Sequence, residues 1–199
     1  MTAEGNLTRV GVFGGTFDPP HCAHLIVASE VFTALELDTV VFVPAGDPWQ
    51  KLAVATAEQR FAMTELAIAG DARFRASRID IDRTGPTYMV DTLTDVAREF
   101  TGASLYCILG SDAIAGMHTW HDSAALPELA TFVGVDRPGH IINQPTLQGL
   151  DVDFVTIPHM EISSTDLRRR VSSNRPIRYL LPDSVADYIA AHNLYGSTS

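Results

Sequence analysis

The chain is short of lysine, of cysteine and of long apolar runs, and each shortage excludes something. Two cysteines in 199 residues give no disulfide framework, so the fold must be held by its core, as suits a reducing compartment. Cys107 lies in an apolar run and reads as a buried thiol; Cys22 lies between two histidines. No apolar run is long enough to span a membrane. The start shows no charged n-region followed by an apolar h-region, so no signal peptide is expected, and the expected location is cytoplasmic. Positive charge is scarce: 14 Lys and Arg stand against 24 Asp and Glu, a formal net charge of −10. That argues against a nucleic-acid polymer as partner, because phosphate backbones need a basic surface. A mononucleotide needs only a few local cations. Lys51 is the one lysine, and five of the 14 basic residues fall between Arg168 and Arg178.

What is present is an alternation of strand and helix signals. Apolar, β-branched stretches read as strands at Val10–Phe13, Thr39–Ala45, Ser104–Leu109, Thr131–Val135 and Phe154–Ile157. Phe74–Arg83 alternates in its second half and reads as a further strand. Helices are expected over Leu25–Leu35, from the Thr56/Gln59 capping box to about Ala69, over Tyr88–Phe100, from Asp112 toward Met117, and over Ser123–Ala130. Two more follow at Ser164–Ser172 and Pro182–His192. Asp136–Leu150 reads as loop. The alternation implies a parallel sheet flanked by helices, in a single domain over 1–199 with a small helical part at about 160–195.

Arg9–His24, RVGVFGGTFDPPHCAH, concentrates the chemistry. A buried strand ends in Gly14 and Gly15, whose missing side chains let the main chain approach a bound group. Pro19 and Pro20 stiffen a turn, and Asp18 is expected to brace that turn through its own backbone. His21 and His24 then stand at a helix start, where free N–H groups favour an anion. Two imidazoles there can donate to a phosphate whose charge grows in a transition state; the plainer alternative is that they cap the helix. His-Cys-x-His is also a metal-like spacing, but a structural zinc wants four ligands, and no bound metal is expected. Downstream, Ile162–Arg170 (ISSTDLRRR) begins with an N-cap, Ser163, three residues before Asp166. Ser164 and Arg168 share a face of its first turn. Hydroxyls, N–H groups and a guanidinium there suit a β,γ-phosphate; the plainer alternative is a capped surface helix.

GGTFDPPHCAH resembles the signature of the nucleotidyltransferase superfamily of adenylyl- and cytidylyltransferases, whose core is a histidine pair, HxGH. ISSTDLRRR resembles their second signature. Ala23 stands where the family has glycine. The stretches between resemble the bacterial nicotinate-nucleotide adenylyltransferase branch. Gly85–Leu93 (GPTYMVDTL) resembles its SYTxDTL, with Met89 replacing a threonine. Gly110-Ser-Asp112 resembles its Gly-Ala-Asp, and Pro48-Trp49-Gln50-Lys51 stands where Pro-Pro-His-Lys is usual. The resemblance implies a Rossmann-like, doubly wound α/β fold with helices on both faces of the sheet. It implies an enzyme that moves the adenylyl group of ATP onto nicotinate mononucleotide, giving nicotinate adenine dinucleotide and pyrophosphate in NAD synthesis, with Mg²⁺ arriving on the ATP. His21, His24 and Arg168 become the catalytic set. Gly14, Gly15, Thr16, Phe17, Lys51, Gly110, Asp112, Ile162, Ser163 and Ser164 become ATP contacts. Thr87, Tyr88 and Trp120 flank the pyridine nucleotide, and Arg169 and Arg170 face solvent. Homo-oligomerisation is left open. The competing readings are a phosphopantetheine adenylyltransferase and a nucleotide-binding module without catalysis.

Overall fold

The computed structural model describes residues 7–49, 52–136, 147, 149–158 and 160–196, and only the backbone of Ser111, Asp112 and Asp136. Six strands form one parallel sheet: β1 (Arg9–Gly15), β2 (Thr39–Pro44), β3 (Phe74–Ala76), β4 (Ser104–Gly110), β5 (Thr131–Asp136) and β6 (Val152–Thr156). Their spatial order is β3-β2-β1-β4-β5-β6. The chain winds outward from β1 to β3, then returns to lay β4 on the other side of β1. The winding reverses between β1 and β4, and the crevice at their carboxyl ends is where an open α/β sheet binds ligands.

The strands are apolar on both faces because both faces are covered. On one face Phe13, Val40, Phe42, Ile108 and Val133 pack against Val27, Ala28 and Val31 of helix α1 (Cys22–Ala34). On the other, Val10, Val12, Val41, Val43 and Cys107 pack against Leu93 and Val96 of α4 (Met89–Glu99). Odd and even strand positions thus part cleanly between the two layers. A third cluster joins α2 (Ala57–Ile68) to α7 (Ser164–Ser172) and α8 (Asp183–Ala191), with Met63, Leu167, Leu181 and Val185 inside it. This is the expected helical C-terminal part, docked on the main body. The Thr56/Gln59 capping box forms with both bonds, 3.2 and 3.0 Å. Among the described residues no helix is long and apolar enough to cross a membrane.

Two expectations need correction. Gly14 and Gly15 lie inside β1, still paired with Val43 and Pro44, so the strand carries its bare edge with it. The stretch Phe74–Arg83 is not one strand. Pairing with β2 stops after Ala76, and Ile79–Asp82 turns as a short helix, α3. The apolar–polar alternation there misleads because Asp80 is not on an outer face. It is 2% exposed, accepts a hydrogen bond from the Thr92 hydroxyl at 2.8 Å and pairs with Arg83. Burial pushes its carboxyl above the usual range, and the Thr92 and Arg83 bonds work against that rise.

The backbone of Asp80 packs directly under the loop after β2. A Cβ on Gly46 would sit 2.1 Å from the Asp80 carbonyl oxygen, too close for any side chain and with backbone on both sides. Gly46→Ala is therefore expected to destabilise the fold by about 2 kcal/mol through overpacking, read as a lower urea midpoint at unchanged slope.

Candidate active site

Two cavities open at the switch point and share the edge Gly14-Gly15-Thr16. The larger, about 540 Å³, lies over the start of α1 and holds His21, Ala23, His24, Ile162, Ser163 and Arg168. Gly110 and Phe17 also reach it. The smaller, about 180 Å³, is walled by Trp49, Thr87, Tyr88, Met89, Trp120 and His121. The fold thus collects the residues expected for ATP in one cavity and those expected for the pyridine nucleotide in the other. Lys51 lies outside the described residues, as does the side chain of Asp112, whose backbone begins α5 (Ser111–Gly116). Most of the Asp136–Leu150 stretch is likewise outside them.

His21 caps α1 and His24 sits at its third position. Their rings stack with centroids 3.7 Å apart, 17° from parallel. The backbone N–H of His21 donates to Nδ1 of His24 at 3.2 Å. An Nδ1 that accepts leaves the proton of a neutral imidazole on Nε2, so His24 is held as a donor tautomer. The Phe17 ring, 2% exposed, meets His24 edge-on at 5.0 Å. Phe17 therefore lines the cleft while its ring belongs to the core, and it supports the histidine from behind. His21 is 5% exposed, and its Nδ1 has no hydrogen-bond partner. Burial lowers its pKa from 6.5 to about 4, so it is neutral near pH 7.

The second signature meets the first. Ser163 caps α7, accepting from the Asp166 N–H at 3.2 Å, as its spacing predicts. The Ser164 hydroxyl donates to the Pro19 carbonyl at 2.8 Å, and Arg168 Nη1 donates to the Asp18 carbonyl at 2.7 Å. The shared face of Ser164 and Arg168 is thus directed at the Asp18–Pro20 turn, whose Asp18–Pro19 peptide is cis. Ser164 lines the larger cavity while its hydroxyl donates to that turn. Arg169 is exposed as expected. Arg170 is not fully so: it is 26% exposed and pairs with Asp166 at 2.7 Å, beside Arg169 on the same carboxylate.

Asp18 does more than brace its own turn. Its carboxylate is 2% exposed and accepts from the N–H groups of Val54 and Ala55, at 2.7 and 3.2 Å, and from the Tyr195 hydroxyl at 2.6 Å. Arg60, 1% exposed, backs the same loops. It donates to the carbonyls of Thr16, Gly46 and Ala55 at 2.9, 3.1 and 3.3 Å. Sequence reading missed Arg60 and Tyr195 altogether; an arginine on the apolar face of α2 was the available signal.

In the smaller cavity, Thr87 is a loop clasp. Its N–H donates to the Asp47 carbonyl at 2.9 Å, and its hydroxyl accepts from the Asp47 N–H at 3.1 Å. Tyr88 stacks on His121 at 4.3 Å and meets Trp49 at 6.1 Å. With Trp120 they make an aromatic wall to the cavity, an aromatic slot in which Trp49 meets Tyr88 at 60°. Met89 fills the floor: its sulfur lies 3.7 Å from Cys107 Sγ, and its Cε sits 3.0 Å from where a Gly14 Cβ would be. Neither cysteine is paired, and burial raises both thiols.

Residues 12–170 match the cytidylyltransferase-like family. A protein of Leifsonia xyli subsp. xyli named "Probable nicotinate-nucleotide adenylyltransferase" is 50% identical over 196 residues, covering 98% of each chain. One of the same name from Corynebacterium glutamicum is 50% identical over 192 residues, covering 94% of this chain and 88% of its own. The chain belongs to the nicotinate-nucleotide adenylyltransferase family. Among solved structures, the Plasmodium falciparum nicotinic acid mononucleotide adenylyltransferase in complex with NaAD superposes with a TM-score of 0.78 at 22% identity, over 94% of this chain and 97% of its own. That likeness speaks for the Rossmann-like nucleotidyltransferase fold, and the sheet order above agrees with it. Within the family frame, the histidine signature and ISSTDLRRR form two sides of one cleft, and the departure at Ala23 places a methyl on its wall.

The buried His21 sets a pH dependence. Its folded value lies below its unfolded one, so between about 4 and 6.5 the unfolded chain binds the proton more readily. The stability tied to neutral His21 is complete above that window and is lost as pH falls through it. From pH 7 to pH 4, wild type should lose roughly 3 kcal/mol more than His21→Gln, measured by urea unfolding of both at the two pH values.

Proposed function

We propose that the larger cavity binds ATP, the smaller binds nicotinate mononucleotide, and the two react across the Gly14–Thr16 edge. The observation that carries this is the shared edge itself. Bare glycine backbone separates the cavities, so an acceptor phosphate from one side and the α-phosphorus from the other can meet over it. The phosphate of nicotinate mononucleotide attacks in line, a P–O bond forms to its oxygen, and the bond to the leaving pyrophosphate breaks. His24 Nε2–H and the neutral His21 donate to the non-bridging oxygens of the α-phosphate as their charge grows. Arg168 holds the β,γ-phosphates. No side chain is a nucleophile: the Cys22 thiol is raised by burial and its Sγ is directed at the Tyr179 carbonyl at 3.8 Å. The work is positioning and charge stabilisation.

Magnesium enters on the ATP, with the nucleotide's own phosphates as its main ligands. The donor set of the cleft fits that role: Asp18, the carboxylate beside Arg168, already has both oxygens engaged. Among the described residues no group of three or more His, Cys, Asp or Glu side chains could hold a metal ion. The unpaired thiols suit a reducing cytoplasm.

The aromatic slot favours a flat pyridine ring over the flexible arm of phosphopantetheine, and histidines aimed at a phosphate site favour catalysis over mere binding. The deciding experiment is pyrophosphate release from ATP with nicotinate mononucleotide, its nicotinamide analogue and phosphopantetheine in parallel. The acid mononucleotide should be the preferred acceptor; equal use of acid and amide would place the chain in a dual-specificity branch. His24→Ala should lower turnover about 100-fold with little change in ATP affinity. Near-normal turnover of that variant would remove His24 from the chemistry.

A further inference from the structure

We infer that Tyr195 is a positioning residue for the larger cleft, acting through Asp18 to keep Arg168 aimed at the triphosphate. This rests on the reading of that cleft as the ATP site. Tyr195 lies 177 residues from Asp18 in sequence. Its ring packs in the C-terminal helical cluster beside Met63, Leu167 and Leu181. Its hydroxyl leaves that cluster to donate to Asp18 Oδ1 at 2.6 Å. The backbone pays an uncommon conformation for this reach: Tyr195 sits at φ 58°, a left-handed region that aromatic residues seldom adopt.

The geometry around Asp18 says what the hydroxyl prevents. Asp18 is 2% exposed, so water does not take the place of a lost donor. Oδ2 is held by the Val54 N–H at 2.7 Å, while Oδ1 would keep only the longer 3.2 Å bond from Ala55. The nearest cation is Arg168, whose Nη1 lies 4.0 Å from Oδ2 and already donates to the Asp18 carbonyl. A carboxylate short of donors captures such a guanidinium in a charge-assisted bond. Arg168 would then be withdrawn from the cleft into a closed ion pair. The Tyr195 hydroxyl satisfies Asp18 without charge and leaves Arg168 available for phosphate. The phenol stays protonated in this role, since burial and the adjoining carboxylate both oppose its ionisation.

Tyr195→Phe removes the hydroxyl and keeps the ring in its cluster. Its affinity for adenosine 5′-(α,β-methylene)triphosphate, measured by calorimetry, should fall about tenfold, the factor that a lost hydrogen bond to a charged group corresponds to. The KM for nicotinate mononucleotide should change less than twofold. Tyr188→Phe, on α8 of the same helical part, should leave both unchanged. In an Asp18→Asn background Tyr195→Phe should add little, because the two act as one unit. A Tyr195→Phe protein that melts lower yet binds the analogue as wild type does would overturn the proposal and make Tyr195 structural only. So would a full additional loss in the Asp18→Asn background. Turnover of nicotinate mononucleotide by wild type tests the functional reading separately, since analogue affinity reports the Asp18 contact with or without an acceptor.

Discussion

The carboxylate of Asp18 is buried where three distant stretches of chain converge: the turn before α1, the segment leading into α2, and the end of the C-terminal helical part. An isolated buried carboxylate is costly, and it persists only when its lone pairs are filled. Here two backbone N–H groups and the Tyr195 hydroxyl fill them. Satisfying one charge therefore fixes three loops against one another. Arg60 completes the arrangement from below. It carries the opposite charge but bonds to carbonyls of Thr16, Gly46 and Ala55, so it ties down backbone while sharing the same low-dielectric region. Burial lowers its pKa, and the Asp18 carboxylate opposes that effect. The edge on which the two cavities meet is held in place by this pair, which share Ala55: its N–H goes to Asp18 and its carbonyl to Arg60.

That anchoring explains how glycines can serve as a reaction platform. Gly14 and Gly15 offer no side chains to lock their position, yet they stay in register because β1 continues through them and pairs with Val43 and Pro44. The next residues are gripped by Arg60 and Asp18. The chain thus presents bare backbone without the looseness that bare backbone brings to a loop. The surrounding charge is arranged with similar economy. A protein of net charge −10 would repel a triphosphate at a distance, and Arg169 and Arg170 share the one carboxylate of Asp166 on the same helix. Arg168 donates to the Asp18 carbonyl and the Thr165 hydroxyl and stands 4.0 Å from an Asp18 carboxylate oxygen, so its charge is not closed into a tight ion pair.

The parts legible in sequence are those in which cause and effect are neighbours. A strand, a turn and a helix start within the first 24 residues read correctly, as did the caps at Thr56 and Ser163, because each is local; the two glycines continue the strand that they were expected to end. The sheet followed from alternation alone. The failures have one physical form: a polar group whose partner is far away in sequence. Asp80 looked like the outer face of a strand until Thr92 and Arg83 were seen to close on it. Asp18 looked like a turn residue until Val54, Ala55 and Tyr195 arrived. Thr87 does line the smaller cavity, but that its hydroxyl also clasps Asp47 could not be read from its neighbours in sequence. In each case the residue type announced a hydrogen bond, and only the fold could name the partner.

The neutral His21, whose Nδ1 has no hydrogen-bond partner, gives the electrostatics of the cleft their logic. A charged imidazole at that depth would need desolvation before any ligand arrived, and the fold avoids this by keeping the ring neutral. The permanent charge is left to Arg168, which is 24% exposed and still partly solvated. In the function proposed above, ground-state attraction for a triphosphate comes chiefly from the guanidinium, whose interaction is much the same before and during reaction. The neutral His21 ring contributes there as a fixed dipole. A fixed dipole gains most where charge is building on the atom it faces, because it has no solvent shell to shed and no reorientation to make. In the function proposed above, the same burial that costs the folded protein stability in acid biases His21 toward the transition state and away from simple binding. That division between a partly solvated cation that holds and a buried neutral ring that accelerates follows from where α1 and α7 place them.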